Sequence, residues 1–264
     1  MSFLVNPYSF TTAGFTVPSD PGGVAPDDLS GLELWLKANN TQFNGVADDT
    51  EISGTWNDSS GNARDATAVA AGSVATFPKF KQTAGPNSYP AIRLVTDSAG
   101  SPGGWFTLPD FLTSFTSGSY FAVVILDEEP PDHNTSPPLG DWAPATDDSY
   151  YPFSDTKIYD KWGSTARKDA IVVSGTTSWH VYEVRTASAA WSCHKDGTQL
   201  HSTGTNTVGW GTAPKVGRVA TNTKFIEGMI AEVIFYSSVL SSSDRFNTVH
   251  TYLNNKYGFA LPTS

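Results

Sequence analysis

Gly228-Met-Ile-Ala-Glu-Val-Ile-Phe-Tyr236, followed by Leu240-Ser241 and Asp244-Arg245 and closing on Tyr252-Leu-Asn-Asn-Lys-Tyr-Gly258, is the stretch that decides the fold. Its first nine residues are apolar apart from Glu232, the pattern of a buried strand. The period then changes. Phe246, Val249, Leu253 and Tyr257 recur at helical spacing on one face. Ser241 and Asp244 have the spacing of a capping box, and Gly258 is placed to end a helix in the left-handed conformation. The segment therefore reads as one buried strand running into one amphipathic helix. On a regular strand Glu232 shares a face with Ile230 and Ile234. A carboxylate there must be hydrogen-bonded, paired or protonated, and we expect a structural tie to a loop backbone or an arginine.

Working outward, the rest reads as strands and turns. Leu32-Glu-Leu-Trp-Leu-Lys37 alternates, with Leu32, Leu34 and Leu36 expected on one face. Trp56-Asn-Asp-Ser-Ser-Gly-Asn62 is a polar turn hung on an aromatic ring. Pro90–Val95 and Tyr120–Leu126 are further strands, the second apolar on both faces and so central in its sheet. Trp179–Arg185 resumes the pattern, and the chain from Ala189 to His201 forms a hairpin about Asp196-Gly197, a strong two-residue turn signal. Lys215–Arg218 and Phe225–Tyr236 complete the strands. Residues 1–28, rich in Pro, Gly, Ser and Asp, read as an extended arm. Its aromatics Phe3, Tyr8, Phe10 and Phe15 either dock on another protein or pack on this protein's own core. Residues 29–264 form one domain, with a loop-rich insertion over about 127–164.

The chain has 264 residues and a formal charge of −10, with a pI near 4.8. That balance disfavours nucleic acid and anionic membrane surfaces. Cys193 is the only cysteine, so no intrachain disulfide forms, and it reads as a small buried residue. Residues 1–8 lack the basic and apolar regions of a secretory signal. No apolar run approaches the length of a membrane span.

Taken in order, these blocks resemble the concanavalin A-like lectin/glucanase superfamily in its laminin-G-like (LamG), pentraxin-like branch. Leu32–Leu36 resembles that family's first strand and Trp56–Asn62 its Trp-x-Asp-x-Ser-Gly-Asn turn. Pro90–Leu94 and Ser119–Val124 resemble its middle strands. Trp191–Gly197 resembles its strand ending in Asn-Gly or Asp-Gly, and Glu227–Glu232 with Leu240–Gly258 its ending. The resemblance spans about residues 29–259 and implies an all-β, two-sheet antiparallel jelly-roll sandwich with one C-terminal α-helix. It says less of function, because the fold carries lectins, glycanases and structural modules alike. Val5-Asn-Pro-Tyr-Ser-Phe10 is similar to the start of phage virion and tail proteins that carry this domain.

Glycanases of this fold project two or three carboxylates from one strand face. Residues two apart share a face, and a retaining mechanism needs its pair about 5–5.5 Å apart. The pairs Asp49/Glu51 and Asp127/Glu129 have that spacing, but neither extends to a third carboxylate, and Glu227 and Glu232 fall on opposite sides of a regular strand. No enzymatic activity is expected. A glycan would instead stack on loop aromatics, and Trp142, Tyr150, Tyr151, Tyr159, Trp162 and Trp210 are the candidates. Packing inside the protein accounts for the same rings. The five histidines have no metal-ligand spacing. No cofactor is required. For calcium, the hard oxygen ligands on offer are Asp58, Asp127, Asp132, Asp141, Asp147 and Asp148, which plain surface acidity explains equally well.

The reading that follows is a non-enzymatic structural protein of a phage virion, either a tail-associated adhesin or a capsid-decorating protein. It would be made in the host cytoplasm and would meet other virion proteins through the arm, sister subunits in a homo-oligomer and a host surface glycan, with no nucleic acid and no membrane insertion. A secreted bacterial carbohydrate-binding module and an unusual glycoside hydrolase are the alternatives.

Overall fold

The computed structural model describes residues 14–70, 76–94, 104–129, 136–144, 149–219 and 225–264. Asp132, Asp147 and Asp148 lie outside them, as do the aromatics Phe3, Tyr8 and Phe10. The described strands are β1 Leu32–Lys37, β2 Thr50–Glu51, β3 Thr55–Trp56, β4 Ala66–Val69, β5 Lys79–Lys81, β6 Ala91–Leu94, β7 Trp105–Thr107 and β8 Ser117–Leu126. They continue with β9 Leu139–Gly140, β10 Lys157–Asp160, β11 Lys168–Val172, β12 His180–Ala187, β13 Ala190–Lys195, β14 Thr198–Thr203, β15 Lys215–Val216 and β16 Gly228–Tyr236.

Two antiparallel sheets stack face to face, and the all-β sandwich with a C-terminal helix is as expected. The larger sheet runs β14-β13-β12-β8-β16-β6-β5-β2, the smaller β3-β4-β7-β15-β9, and β10-β11 forms a separate ribbon. β8 sits between β12 and β16, which is why Tyr120–Leu126 is apolar on both faces. Its inner residues Tyr120, Ala122 and Val124 meet Phe106 and Val216 of the smaller sheet in the main core. Its outer residues Phe121 and Val123 pack with Val249, Tyr252, Leu253 and Tyr257 of the helix in a second apolar layer. The β13–β14 hairpin turns on Asp196 and Gly197, both at positive φ (50° and 76°), as a tight two-residue turn requires.

Two strands depart from regular alternation. The β1–β16 register shifts between Leu32 and Leu34. Leu34 and Leu36 therefore point into the main core while Leu32 packs on the outer layer, and the three leucines do not share a face. The β16–β8 register shifts between Ile230 and Glu232. Ile230 faces inward, whereas Glu232 lies on the side of Ile234 and the helix. The bulge has a clear cause: at this point β16 passes from pairing with β6 to pairing with β1, and Ala38 N–H reaches Ala231 O at 2.9 Å.

The helix spans residues 242–257. Ser241 Oγ accepts from Asp244 N at 3.0 Å, and Gly258 closes the end at φ 73°. Its middle segment, Arg245–His250, is π-helical. No helix among the described residues is long and apolar enough to cross a membrane. Residues 14–28 lie against the sandwich. Val17 is in the main core, the Phe15 ring is 5.9 Å from Phe80, and Asp20 pairs with Lys37 and Lys256. For this part of the arm, packing on the protein's own core is the placement observed.

Candidate functional site

A group of half-buried aromatic rings gathers beside the ribbon β10–β11. Along β10, Ile158 and Asp160 are buried while Lys157 and Tyr159 are half-buried, the alternation a strand imposes. Tyr150 and Tyr159 bridge antiparallel through two backbone bonds of 2.6 and 3.0 Å. Their rings meet edge-on at 5.9 Å, and Phe153 joins them at 4.7 Å from Tyr150 and 5.9 Å from Tyr159. Asp155 holds the intervening turn by accepting from Lys157 N at 3.1 Å and Tyr159 Oη–H at 2.7 Å. That bond to a carboxylate pushes the Tyr159 phenol above its ordinary value. The Arg167 guanidinium lies 5.1 Å over the Tyr159 ring.

Arg167 also lines a polar cavity of about 440 Å³ with Thr165, Asp169, His201, Thr203 and Thr205. Asn206, in the same wall, is a brace: Nδ2 donates to Thr186 Oγ1 and Ala187 O, both at 2.9 Å, and Oδ1 accepts from Ser164 Oγ at 2.7 Å. One edge of the molecule thus gathers three aromatic rings, a guanidinium whose Nε donates to Asp169 Oδ1 at 2.5 Å, an imidazole and threonine hydroxyls. Apolar faces beside hydrogen-bonding groups are the chemistry that holds a pyranose or furanose ring.

Of the six aromatic candidates, Tyr150 and Tyr159 stand together at this edge. The other four are core residues. Trp142, Tyr151, Trp162 and Trp210 are buried. Trp162 meets Trp210 edge-on at 5.0 Å, and Trp142, Trp162 and Trp210 all surround Phe235. Their loops fold back over the end of the sandwich and fill it. The indole N–H groups of Trp142 and Trp210 are satisfied by Lys215 O at 3.0 Å and Phe115 O at 2.7 Å. Tyr151 Oη–H bonds His180 Nε2 at 2.6 Å. Sequence reasoning missed Phe153, Arg167 and His201. None carries a sequence signal, because their meeting depends on the ribbon's turn and on β14 lying beside it.

The described aspartates proposed for calcium are taken up separately. Asp58 Oδ1 accepts from Trp35 N and Ser60 N at 2.9 Å, and Oδ2 accepts from Ser60 Oγ at 2.7 Å and Arg64 N at 3.1 Å. The Trp56–Asn62 turn is thereby pinned to β1 by its own aspartate. Asp127 pairs with Arg93, and Asp141 with Lys215. Among the described residues no group of three or more His, Cys, Asp or Glu could hold a metal ion.

Of the carboxylates that could act on a glycosidic bond, Asp49 and Glu129 are likewise committed. Asp49 pairs with Lys79 and Lys81 at 3.3 Å. Glu129 accepts from Gly175 N at 3.1 Å, Thr176 N at 2.5 Å and Thr176 Oγ1 at 2.6 Å. Burial would raise the Glu129 carboxyl, but the bonds from Thr176 and Gly175 outweigh it and hold the group below its ordinary value. Cys193 is buried, and burial pushes its thiol well up, away from a nucleophile's range.

No family model and no curated protein matches the chain. Solved structures share its fold. Domain 4 of AbnA, a GH43 extracellular arabinanase from Geobacillus stearothermophilus, seen in complex with arabinotriose, is 17% identical at a TM-score of 0.53, over 80% of this chain and 94% of that one. Trypanosoma rangeli sialidase is 16% identical at a TM-score of 0.56, over 96% of this chain but only 37% of the sialidase. The binding domain of botulinum neurotoxin serotype D is 12% identical at a TM-score of 0.54, over 86% of this chain and 52% of that one. At such identities the likeness establishes the β-sandwich and nothing of the activity.

Proposed function

We propose that this protein is a non-enzymatic, LamG-like glycan-binding sandwich, displayed on a phage particle as an adhesin or decorating protein. The observation that carries the binding half is the juxtaposition of the Tyr150, Phe153 and Tyr159 rings with the polar cavity lined by Arg167 and His201. The arabinanase domain of the same fold holds arabinotriose, which supports a saccharide as the ligand class. The absence of turnover is supported by Glu129. Fully hydrogen-bonded and held ionised, it has no proton to give a leaving group. The particle context rests on the opening sequence. With residues 14–28 committed to the domain, attachment would fall to residues 1–13.

The full chain on a glycan array, including arabinan oligosaccharides and sialylated glycans, tests the reading. Binding should fall about tenfold on Tyr159→Ala, the loss of one stacking ring, and also on His201→Ala, with no reducing sugar released. No binding to any saccharide, or binding indifferent to both changes, would overturn the glycan half. For the particle half, deletion of residues 1–13 should leave a folded domain that no longer joins virions. Unchanged incorporation would overturn it.

A further inference from the structure

A second cavity, mostly apolar in its lining, lies across β14, on the outer face of the larger sheet beside the start of the helix. The register sets Arg185 opposite Ser192 and Ser192 opposite Ser202, so the three form one row across β12, β13 and β14. The row nearer the β12–β13 turn is Ala187 opposite Ala190, which carries only methyl groups. The space above those alanines is a cavity of about 290 Å³, bounded also by Arg185, Trp191, Ser192, Gln199, Ser202, Thr203 and, on the helix side, Val239.

The charges beneath this row do not balance. Glu183 is fully buried, and Arg245 takes its carboxylate, with Nε 2.8 Å from Oε2 and 2.6 Å from Oε1. Arg185 is the second cation beside this one carboxylate. Its Nε is buried 3.7 Å from Glu183 Oε1 without a hydrogen bond, and its Nη2 lies 3.2 Å from His194 Nε2. Burial pushes His194 down to about 4, so its ring is neutral and brings no negative charge. His250 Nε2 stands 3.5 Å from Glu183 Oε2. On the other half of the same face, Asp20 and Glu232 meet Lys37 and Lys256, two charges against two.

We propose that the cavity binds the carboxylate of an acidic sugar, a uronic-acid-type residue of a polysaccharide, with Arg185 as its anchor and Ser192, Ser202 and Gln199 around the ring. A guanidinium matches a carboxylate bidentately, and hydroxyls in line with it suit the neighbouring sugar oxygens. The cavity is at the small end of ligand sites, which span about 300–1,000 Å³. One cation matches one carboxylate, and a formal chain charge of −10 disfavours a polysaccharide with a carboxylate on every residue. This cavity shares Thr203 with the cavity beside the aromatic edge but has its own anchor. Neighbouring residues of β14 face opposite ways, Ser202 toward this cavity and His201 toward the other.

The test is an NMR titration of the isotopically labelled full chain with sodium glucuronate, glucose and sodium acetate. Glucuronate should shift the amides of Arg185, Ser192 and Ser202, while glucose and acetate should not. Arg185→Lys keeps a charge but loses the fork and should weaken glucuronate about tenfold. Ser202→Ala, remote from the buried ion pair, should keep the fold and weaken binding by a smaller factor. No shift in the wild type, equal shifts with acetate or glucose, or affinity unchanged in both variants would each overturn the proposal. Shifts at Tyr159 and His201 report the aromatic edge separately, so either site can fail without the other.

Discussion

Lys256 Nζ stands 2.7 Å from Glu232 Oε2, and both side chains are fully buried between β16 and the C-terminal helix. Trp35 Nε1–H and Tyr252 Oη–H donate to the other oxygen at 2.5 and 3.0 Å, and Tyr257 Oη–H donates to Oε2 at 2.7 Å. The helix is therefore held by a saturated carboxylate as well as by its apolar stripe. Such a pair is costly to break, because the survivor stays buried and unpaired.

Lys256→Met should accordingly destabilise the protein by about 3–5 kcal/mol, and a double change to Glu232→Gln with Lys256→Met should recover a good part of that. Urea denaturation of the three variants measures it. A double variant as weak as the single one would mean that the lysine's packing, not the orphaned carboxylate, carries the loss.

Asp20 ties the N-terminal segment into the same network, and its acid response has a definite sign. Burial would raise its carboxyl, but the Lys256 charge and hydrogen bonds from Lys256, Lys37 and Asn39 hold it well below the usual range. The folded value lies below the unfolded one of about 3.9, so its stabilisation is complete above that pH and is lost as pH falls toward the folded value. Asp20→Asn should be less stable than wild type at pH 7, and the gap in urea midpoint should close below about pH 4. A gap as wide at pH 2 as at pH 7 would remove the electrostatic account.

The architecture was legible in the sequence because burial repeats with period: β8, the Asp196-Gly197 hairpin and the Ser241-to-Gly258 helix each follow from local pattern. Glu232 was recognisable as a buried tie, but its partner was not. The bulge at Ala231 turns Glu232 from Ile230's side to the helix, where a lysine waits instead of an arginine or a loop. The π-helical stretch was equally silent. In an α-helix of 3.6 residues per turn, Arg245 and His250 would sit about 140° apart. The i to i+5 pattern stacks them so that both reach Glu183. Trp142, Trp162 and Trp210 misled for another reason. Loop-like sequence marks irregular backbone, and here that backbone lays its rings into the open end of the sandwich.

His180 sets a second pH window. Its Nδ1 is 2.7 Å from Ser178 O and so carries the proton, which leaves Nε2 to accept from Tyr151. Burial pushes His180 down to about 4, as it does His194. With folded values below the unfolded one of about 6.5, stability is complete above that pH and falls by about 1.4 kcal/mol per pH unit for each histidine as pH drops toward 4. The midpoint should decline over that range, and His194→Gln should make the decline shallower by about half. A midpoint flat from pH 7 to 4 would contradict neutral burial of both rings.

Gly228 and Gly258 bracket the stretch that decides the fold, and substitution should separate two kinds of glycine requirement. A Cβ on Gly228 would lie 2.1 Å from Ile125 O, forcing β16 away from β8 in the middle of the larger sheet. A Cβ on Gly258 meets nothing within 4 Å, but the residue sits at φ 73°. Gly258→Ala should cost about 1–2 kcal/mol through left-handed backbone strain alone. Gly228→Ala should cost about 1–3 kcal/mol and also distort the sheet, because the obstacle is backbone that cannot rotate aside. Thermal denaturation gives the energies. Amide exchange gives the location: faster exchange along β8 and β16 in Gly228→Ala, and only at the helix end in Gly258→Ala. Equal protection of β8 in both variants would show that the two strands tolerate the extra methyl.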